Sequence, residues 1–186
     1  MTTIIGDLLE LSRLESDESE IEGAPVDVAA LLSMLRKDVL ARSEHPHEVR
    51  VRIESPAALI GNESEIHSAF SNLVDNAAKY TSVEGSIEMR WWVDADGGHF
   101  AVSDTGIGIA SEHIPRLTER FYRVDPGRSR GTGGSGLGLA IVKHVLQRHG
   151  ATLEVQSTQG RGSVFSCHFP TYRIGKPLVG VRAAAV

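Results

Sequence analysis

The chain has 186 residues, a length that gives one domain of ordinary size, or one domain with a short appendage, and room for a sizeable core. Hydrophobic residues make up 41% and charged residues 23%, with 19 Gly against 7 Pro, which excludes a disordered or collagen-like chain. A net charge of -5, from 19 Lys plus Arg against 24 Asp plus Glu, argues against a nucleic-acid partner held by a basic surface, and the single Cys167 excludes a disulfide scaffold.

A lone cysteine points to a reducing, cytoplasmic setting. No stretch reaches the length of a membrane span, and residues 1–20 lack the basic start and apolar middle of a signal peptide, so we expect a chain neither exported nor inserted. In chain order the first element is a helix already under way. Ile4, Ile5, Leu8, Leu9, Leu11 and Leu14 recur at helical spacing with no cap ahead of them. So dense a stripe on so short a helix calls for a partner, either the body of the domain or a second chain. The acidic run Glu15, Asp17, Glu18, Glu20 and Glu22, followed by Gly23-Ala24-Pro25, ends the helix and forms a linker.

Val26 to Val28 reads as a short strand and Val28 to Arg42 as an amphipathic helix through Ala29, Leu32, Leu35 and Val39. Val49, Val51 and Ile53 alternate with Arg50, Arg52 and Glu54 as a half-buried strand, and Leu59-Ile60 before Gly61-Asn62 makes another. From about Ser64 to Tyr80 a helix carries Ile66, Phe70, Leu73, Val74 and Ala77 on one face. A hairpin follows, turning at Asp96-Gly97-Gly98 between Ile87, Met89, Trp91, Val93 and Phe100, Val102. Beyond a Gly- and Arg-rich section from Asp104 to Ser135, Leu137 to His149 is an apolar helix stopped by Gly150. Leu153 to Val155 and Val164 to Phe169 close the series as strands, and 171–186 reads as a loose tail. The pattern predicts an α+β fold, a sheet covered by helices on one face.

Most of the informative glycines, Gly106, Gly108, Gly127, Gly131, Gly133, Gly134, Gly136 and Gly138, fall in one section, where they suit backbone that approaches a ligand or flexes. Gly131 to Gly136 formally satisfies GxGxxG, but an Arg-rich loop precedes it and no βαβ unit surrounds it. The Walker pattern fails because Leu137 stands where its lysine belongs. What remains is a Gly-rich stretch opening into a helix, where free N–H groups and the positive dipole end meet an anion or simply lead flexibly into the helix. Arg116, Arg120, Arg123, Arg128 and Arg130 cluster ahead of it, which fits either an anion site or a solvated loop with scattered salt bridges. Asp104 ends a buried strand, as a turn-former or as a ligand acceptor. Asn72, Asn76 and either Lys79 or Tyr80 share one polar face of the preceding helix. Amide oxygens suit a hard cation such as Mg²⁺, Lys79 can reach phosphate and Tyr80 offers a ring for stacking; a helix simply showing its wet side would read the same way.

Together the segments Asn72-Leu-Val-Asp-Asn-Ala-Ala-Lys-Tyr80, Asp104-Thr-Gly-Ile-Gly-Ile109, Glu119-Arg-Phe-Tyr-Arg-Val-Asp125 and Gly133-Gly-Ser-Gly-Leu-Gly-Leu-Ala-Ile-Val-Lys143 resemble the N, G1, F and G2 boxes of the sensor histidine kinase catalytic domain. With Gly160-Arg-Gly-Ser-Val-Phe165 the resemblance runs from about Pro25 to Pro170, and Ile114 to His149 is similar to phosphate-regulon sensor kinases in particular. It implies a two-layer α/β sandwich of the Bergerat type with a mixed sheet, shared with type II topoisomerase, chaperone and mismatch-repair ATPases. It also implies ATP and Mg²⁺ as cofactors. Asn76 would bind the metal with Asn72 assisting, Asp104 would accept from the adenine amino group, and Tyr80 would line the base. Gly106, Gly108 and Ile109 would border the nucleotide. Lys79, Arg123, Arg130 and the backbone of Gly134, Ser135, Gly136, Leu137 and Gly138 would hold phosphates, residues 123–135 forming a mobile lid. Asn72, Lys79 and Arg123 would carry catalysis, and Ser163, where the family often has Thr, would support the adenine side.

In the hydrolysing relatives a Glu four residues ahead of the metal-binding Asn activates water; here that place is Asn72, which cannot take a proton, so transfer is favoured over hydrolysis. His47-Glu48 superficially matches a phosphoacceptor, but Pro46 precedes it and the strand through Val49, Val51 and Ile53 follows. The resemblance therefore divides the chain into residues 1–22, the end of a second dimerisation-domain helix and an acidic linker; 23–170, the ATP-binding catalytic domain; and 171–186. Its partners would be a dimerisation and phosphoacceptor domain of the same kinase and a response-regulator receiver domain. The full-length protein would be a homodimer anchored in the bacterial inner membrane. The alternative is an ATP-gated conformational module of the chaperone or topoisomerase type, and a pure binding module with a degenerate pocket is a third reading.

Overall fold

The computed structural model describes residues 4–16, 23–124 and 134–178. In chain order these form α1 (Ile4–Ser16), β1 (Ala24–Val26), α2 (Val28–Leu40), β2 (Glu48–Ile53), β3 (Ala58–Gly61), α3 (Glu63–Tyr80), β4 (Ser86–Val93), β5 (Gly97–Asp104), α4 (Gly138–Arg148), β6 (Thr152–Thr158), β7 (Gly162–Pro170) and β8 (Ile174–Gly175). A five-stranded sheet runs in the order β2-β4-β5-β7-β6, with β2 parallel to β4 and the remaining pairs antiparallel. The parallel pair requires a crossover, and the chain makes it through β3 and α3. The predicted α+β fold, a mixed sheet with helices on one face, is the one formed.

Local chemistry sets the helix starts. Asp27 accepts from the Ala30 N–H at 2.9 Å ahead of α2, and Asn62 accepts from the Glu65 N–H at 3.2 Å ahead of α3. The core lies between the helices and one face of the sheet. Phe70 of α3 stacks on Phe100 of β5 with ring centroids 3.8 Å apart, and Trp91, Met89 and Phe169 are fully buried around them. Cys167 belongs to the same core, where burial pushes its thiol far up and leaves it a packing residue. Among the described residues no helix is long and apolar enough to cross a membrane.

Two features depart from the sequence reading. A second, three-stranded sheet in the order β1-β3-β8 stands beside the main one. Its last strand lies in the expected loose tail: Thr171–Arg173 forms a turn of 3-10 helix and Ile174–Gly175 pairs with Ala58–Leu59. The Arg173 guanidinium donates to the His149 carbonyl at 3.2 Å, and Ile174 packs on the core. These attachments are long-range, so no periodicity announces them. Residues 179–186 lie outside the described residues.

Candidate functional site

Three elements converge on one end of α3. The helix buries Ile66, Phe70, Leu73, Val74 and Ala77 and leaves Asn72, Asn76 and Lys79 half-buried on its other side, with Tyr80 exposed at its end. The C-terminal end of β5 brings in Asp104, and the approach to α4 brings in Gly134 to Gly138.

Asp104 is 9% exposed, and burial pushes its carboxyl up, opposed by main-chain hydrogen bonds from Gly106 and Ser163. The Gly106 N–H donates to its Oδ1 at 2.8 Å. The loop after it is tied down on both sides: the Ile107 N–H donates to the Tyr80 carbonyl at 3.2 Å, and the Gly160 N–H donates to the Ile107 carbonyl at 2.7 Å. Gly108, at φ 63°, lies hard against the Thr158 main chain, so a side chain there is excluded on two grounds. Ser163 is the cross-strand partner of Asp104, and its hydroxyl is 3.0 Å from that of Ser157, which accepts from the Ile109 N–H at 2.8 Å. Asp104, Ile109 and Ser163 thus form one connected wall. Ser157 was not singled out in the sequence; it joins the wall only through sheet pairing.

At the other end, the Lys79 ammonium sits over the Tyr80 ring, 5.0 Å from its centroid, and a Cβ on Gly134 would lie 2.5 Å from Lys79 Nζ. The Asn72 amide nitrogen donates to the Ser68 carbonyl at 2.9 Å, and a Cβ on Gly138 would lie 2.5 Å from Asn72 Oδ1. Glycine at 134 and 138 therefore lets α4 start directly against the polar face of α3. The Leu137 N–H donates to the Ser135 hydroxyl oxygen at 3.1 Å, and that hydroxyl donates to Asp7 of α1 at 2.6 Å. Asp7 was missed in the sequence. Its signal is a carboxylate on the buried face that Leu11 and Leu14 share at spacings of four and three.

The arginine cluster divides. Arg116 pairs with Glu119 at 3.0 Å and lies over the Tyr122 ring, and Arg120 pairs with Glu15 of α1, so these two take the salt-bridge role. Arg123 is half-buried. Arg128 and Arg130, and most of the expected lid, lie outside the described residues. Among the described residues no group of three or more His, Cys, Asp or Glu can hold a metal ion, so a cation here would rely on amide oxygens and on oxygens the ligand or water brings. The arrangement offers a buried acceptor at one end and a lysine, amides and backbone N–H groups at the other. That polarity fits a molecule with an amino-bearing base and an anionic tail.

Comparison with known proteins agrees with this reading. The family described as histidine kinase-, DNA gyrase B-, and HSP90-like ATPase matches residues 61–173. The phosphate regulon sensor protein PhoR of Pseudomonas aeruginosa is 50% identical over 177 residues, covering 95% of this chain and 40% of PhoR. The sensor-like histidine kinase SenX3 of Mycolicibacterium smegmatis is 39% identical over 180 residues, covering 92% of this chain and 45% of SenX3. Among solved structures, full-length ShkA in complex with AMPPNP superposes with a TM-score of 0.80 at 28% identity, covering 97% of this chain and 37% of that one. The chain thus spans less than half the length of the curated relatives it matches. By the match to its family and by its fold, the chain belongs to the histidine kinase-, DNA gyrase B- and HSP90-like ATPases.

Proposed function

We propose that this chain is the ATP-binding catalytic portion of a two-component sensor histidine kinase. It would bind Mg-ATP and present the γ-phosphoryl group to a histidine on a dimerisation domain of the same kinase. The observation that carries this reading is that the end of α3 sets the Lys79 ammonium against Gly134 and, at Tyr80, bonds the loop that follows the buried Asp104 of β5. The bound nucleotide supplies the phosphoryl group, and Mg²⁺ offsets its charge.

The remaining work falls to the chain. Asp104, with Ser163 and Ile109 behind it, accepts from the adenine amino group, while Tyr80 lines the base. Gly106 and Gly108 hold the loop that shapes that wall. Asn76 and Asn72 would hold the cation through their amide oxygens. Lys79, Arg123, Arg130 and the main chain of Gly134, Ser135, Gly136, Leu137 and Gly138 hold phosphate oxygens, and pulling the leaving phosphates onto fixed N–H groups stabilises charge as transfer proceeds. Asn72 cannot take a proton, so water is not activated and the phosphoryl group waits for an imidazole.

The full-length protein would be a membrane-anchored homodimer whose phosphohistidine serves a receiver domain. The test supplies the chain with γ-labelled ATP, Mg²⁺ and a separate dimerisation domain bearing its histidine. We expect acid-labile label on that histidine and none on this chain alone; stable label on this chain, or free phosphate as the main product, would overturn the proposal.

A further inference from the structure

The open face of the main sheet carries a second constellation, remote from the nucleotide site. His99 of β5 and His168 of β7 are direct cross-strand partners. Their Nδ1 atoms face each other at 2.8 Å. Behind them, His99 Nε2 lies 2.9 Å from Asp94 Oδ1, and His168 Nε2 lies 3.3 Å from Glu154 Oε2. Trp92 stacks on His99 with ring centroids 4.9 Å apart. The His99 side chain is 8% exposed and that of His168 33%, so the pair forms the floor of a shallow groove open to water, with Asp96 and Thr152 on its rim.

The proton inventory of this chain of groups decides what the groove can take. Asp94 Oδ1 also accepts from the Asp96 N–H at 2.9 Å and Glu154 Oε1 from the Gln156 amide at 2.7 Å, and both carboxyl side chains are about half exposed to water. Both groups thus act as acceptors in these contacts, so each imidazole donates from Nε2. A neutral imidazole that donates from Nε2 has a bare lone pair on Nδ1. Two bare lone pairs at 2.8 Å repel unless a cation lies between them. Carboxylates locking the far nitrogens are also the outer partners that orient histidine ligands in metal centres.

We propose that His99 and His168 chelate a divalent transition ion of the copper(II) or nickel(II) type. The distance selects the class. With metal–imidazole bonds of about 2.0 Å, two nitrogens in neighbouring positions of a square-planar ion are about 2.8 Å apart, whereas a tetrahedral ion such as zinc needs roughly 3.3 Å. The remaining positions go to water in the groove, since no third His, Cys, Asp or Glu converges here among the described residues. The occupant that competes is a single shared proton.

The test titrates glycine-buffered Cu²⁺ into the nucleotide-free chain and follows quenching of Trp92, the tryptophan stacked on His99, together with electron paramagnetic resonance. We expect one ion with two equatorial imidazole nitrogens, bound at least about tenfold more weakly by His99→Gln and by His168→Gln. Asp94→Asn, which leaves both imidazoles in place but cannot accept as a carboxylate does, should weaken binding about tenfold. His45→Gln should change nothing. Circular dichroism confirms that each variant is folded. Equal affinity of the unchanged chain and His168→Gln, or a spectrum without two imidazole nitrogens, would overturn the proposal and leave the pair closed by a proton.

Discussion

Asp104 carries the sharpest chemical prediction. A buried carboxylate costs several kcal/mol to desolvate unless bonded, and the main-chain N–H groups of Gly106 and Ser163 use only part of the acceptor capacity of its two oxygens. Adenine offers an amino donor where guanine presents an oxygen, so we expect ATP to outcompete GTP by at least about a hundredfold. Asp104→Asn should narrow that gap while weakening ATP, as competition against a fluorescent analogue would measure; GTP within about threefold of ATP would reduce Asp104 to a turn residue. His149 predicts a pH dependence. It is fully buried, with Nδ1 2.7 Å from the Val145 carbonyl and Nε2 accepting from the Asn62 N–H at 3.1 Å, and burial pushes it below its ordinary value of 6.5. The folded state holds it neutral, so nothing is lost above pH 6.5, and stability falls as pH drops below it because the unfolded chain takes up the proton first. The slope is at most about 1.4 kcal/mol per pH unit for this one group. Denaturant melts between pH 7 and 5 should show a shallower loss for His149→Gln than for the unchanged chain; equal slopes would contradict it. The place of Asp104 at the end of a strand was legible because glycines follow it. The partners of His149 were not, since 87 residues separate it from Asn62.

Elements were legible wherever one face is buried. The stripe through Ile66, Phe70, Leu73 and Val74 gave α3, and alternation gave β2 and the β4–β5 hairpin, because each period survives in a single segment. Where an element is held by distant partners, the sequence is silent. β8 is two residues long and exists through its pairing with β3. The glycines show a subtler limit: Gly108 is required first by the Thr158 main chain and by its positive φ, before any ligand is considered. α1 answers the question of its partner in part, since Leu11 and Leu14 are buried while Ile4, Ile5 and Leu9 stay exposed. Its polar anchor is Asp7 on Ser135. A charge-assisted bond in a buried setting predicts a coupling of about 2 kcal/mol in a double-mutant cycle of Asp7→Ala and Ser135→Ala, read by chemical denaturation. A coupling under about 0.5 kcal/mol would mean that α1 is held by its leucines alone.

For the molecule as a whole, four short motifs in order sufficed to name the family, because the nucleotide-binding geometry demands particular residues at α3, the end of β5 and the start of α4. What the motifs could not show is how those segments meet: Lys79 beside Gly134, Asn72 against Gly138, and Ser163 opposite Asp104. The first two contacts join α3 to the start of α4, the third ties β5 to β7, and the Ile107 N–H on the Tyr80 carbonyl brings the end of β5 to α3; the central claim is that the site so formed binds Mg-ATP. Calorimetric titration of ATP into the chain, with and without Mg²⁺, tests it most directly, alongside Asn76→Ala. We expect one saturable site that is strengthened by Mg²⁺, with Asn76→Ala weakening it at least about tenfold, which is about 1.4 kcal/mol. No saturable binding, an unchanged chain whose affinity is the same with and without Mg²⁺, or Asn76→Ala binding Mg-ATP as tightly as the unchanged chain would contradict the claim.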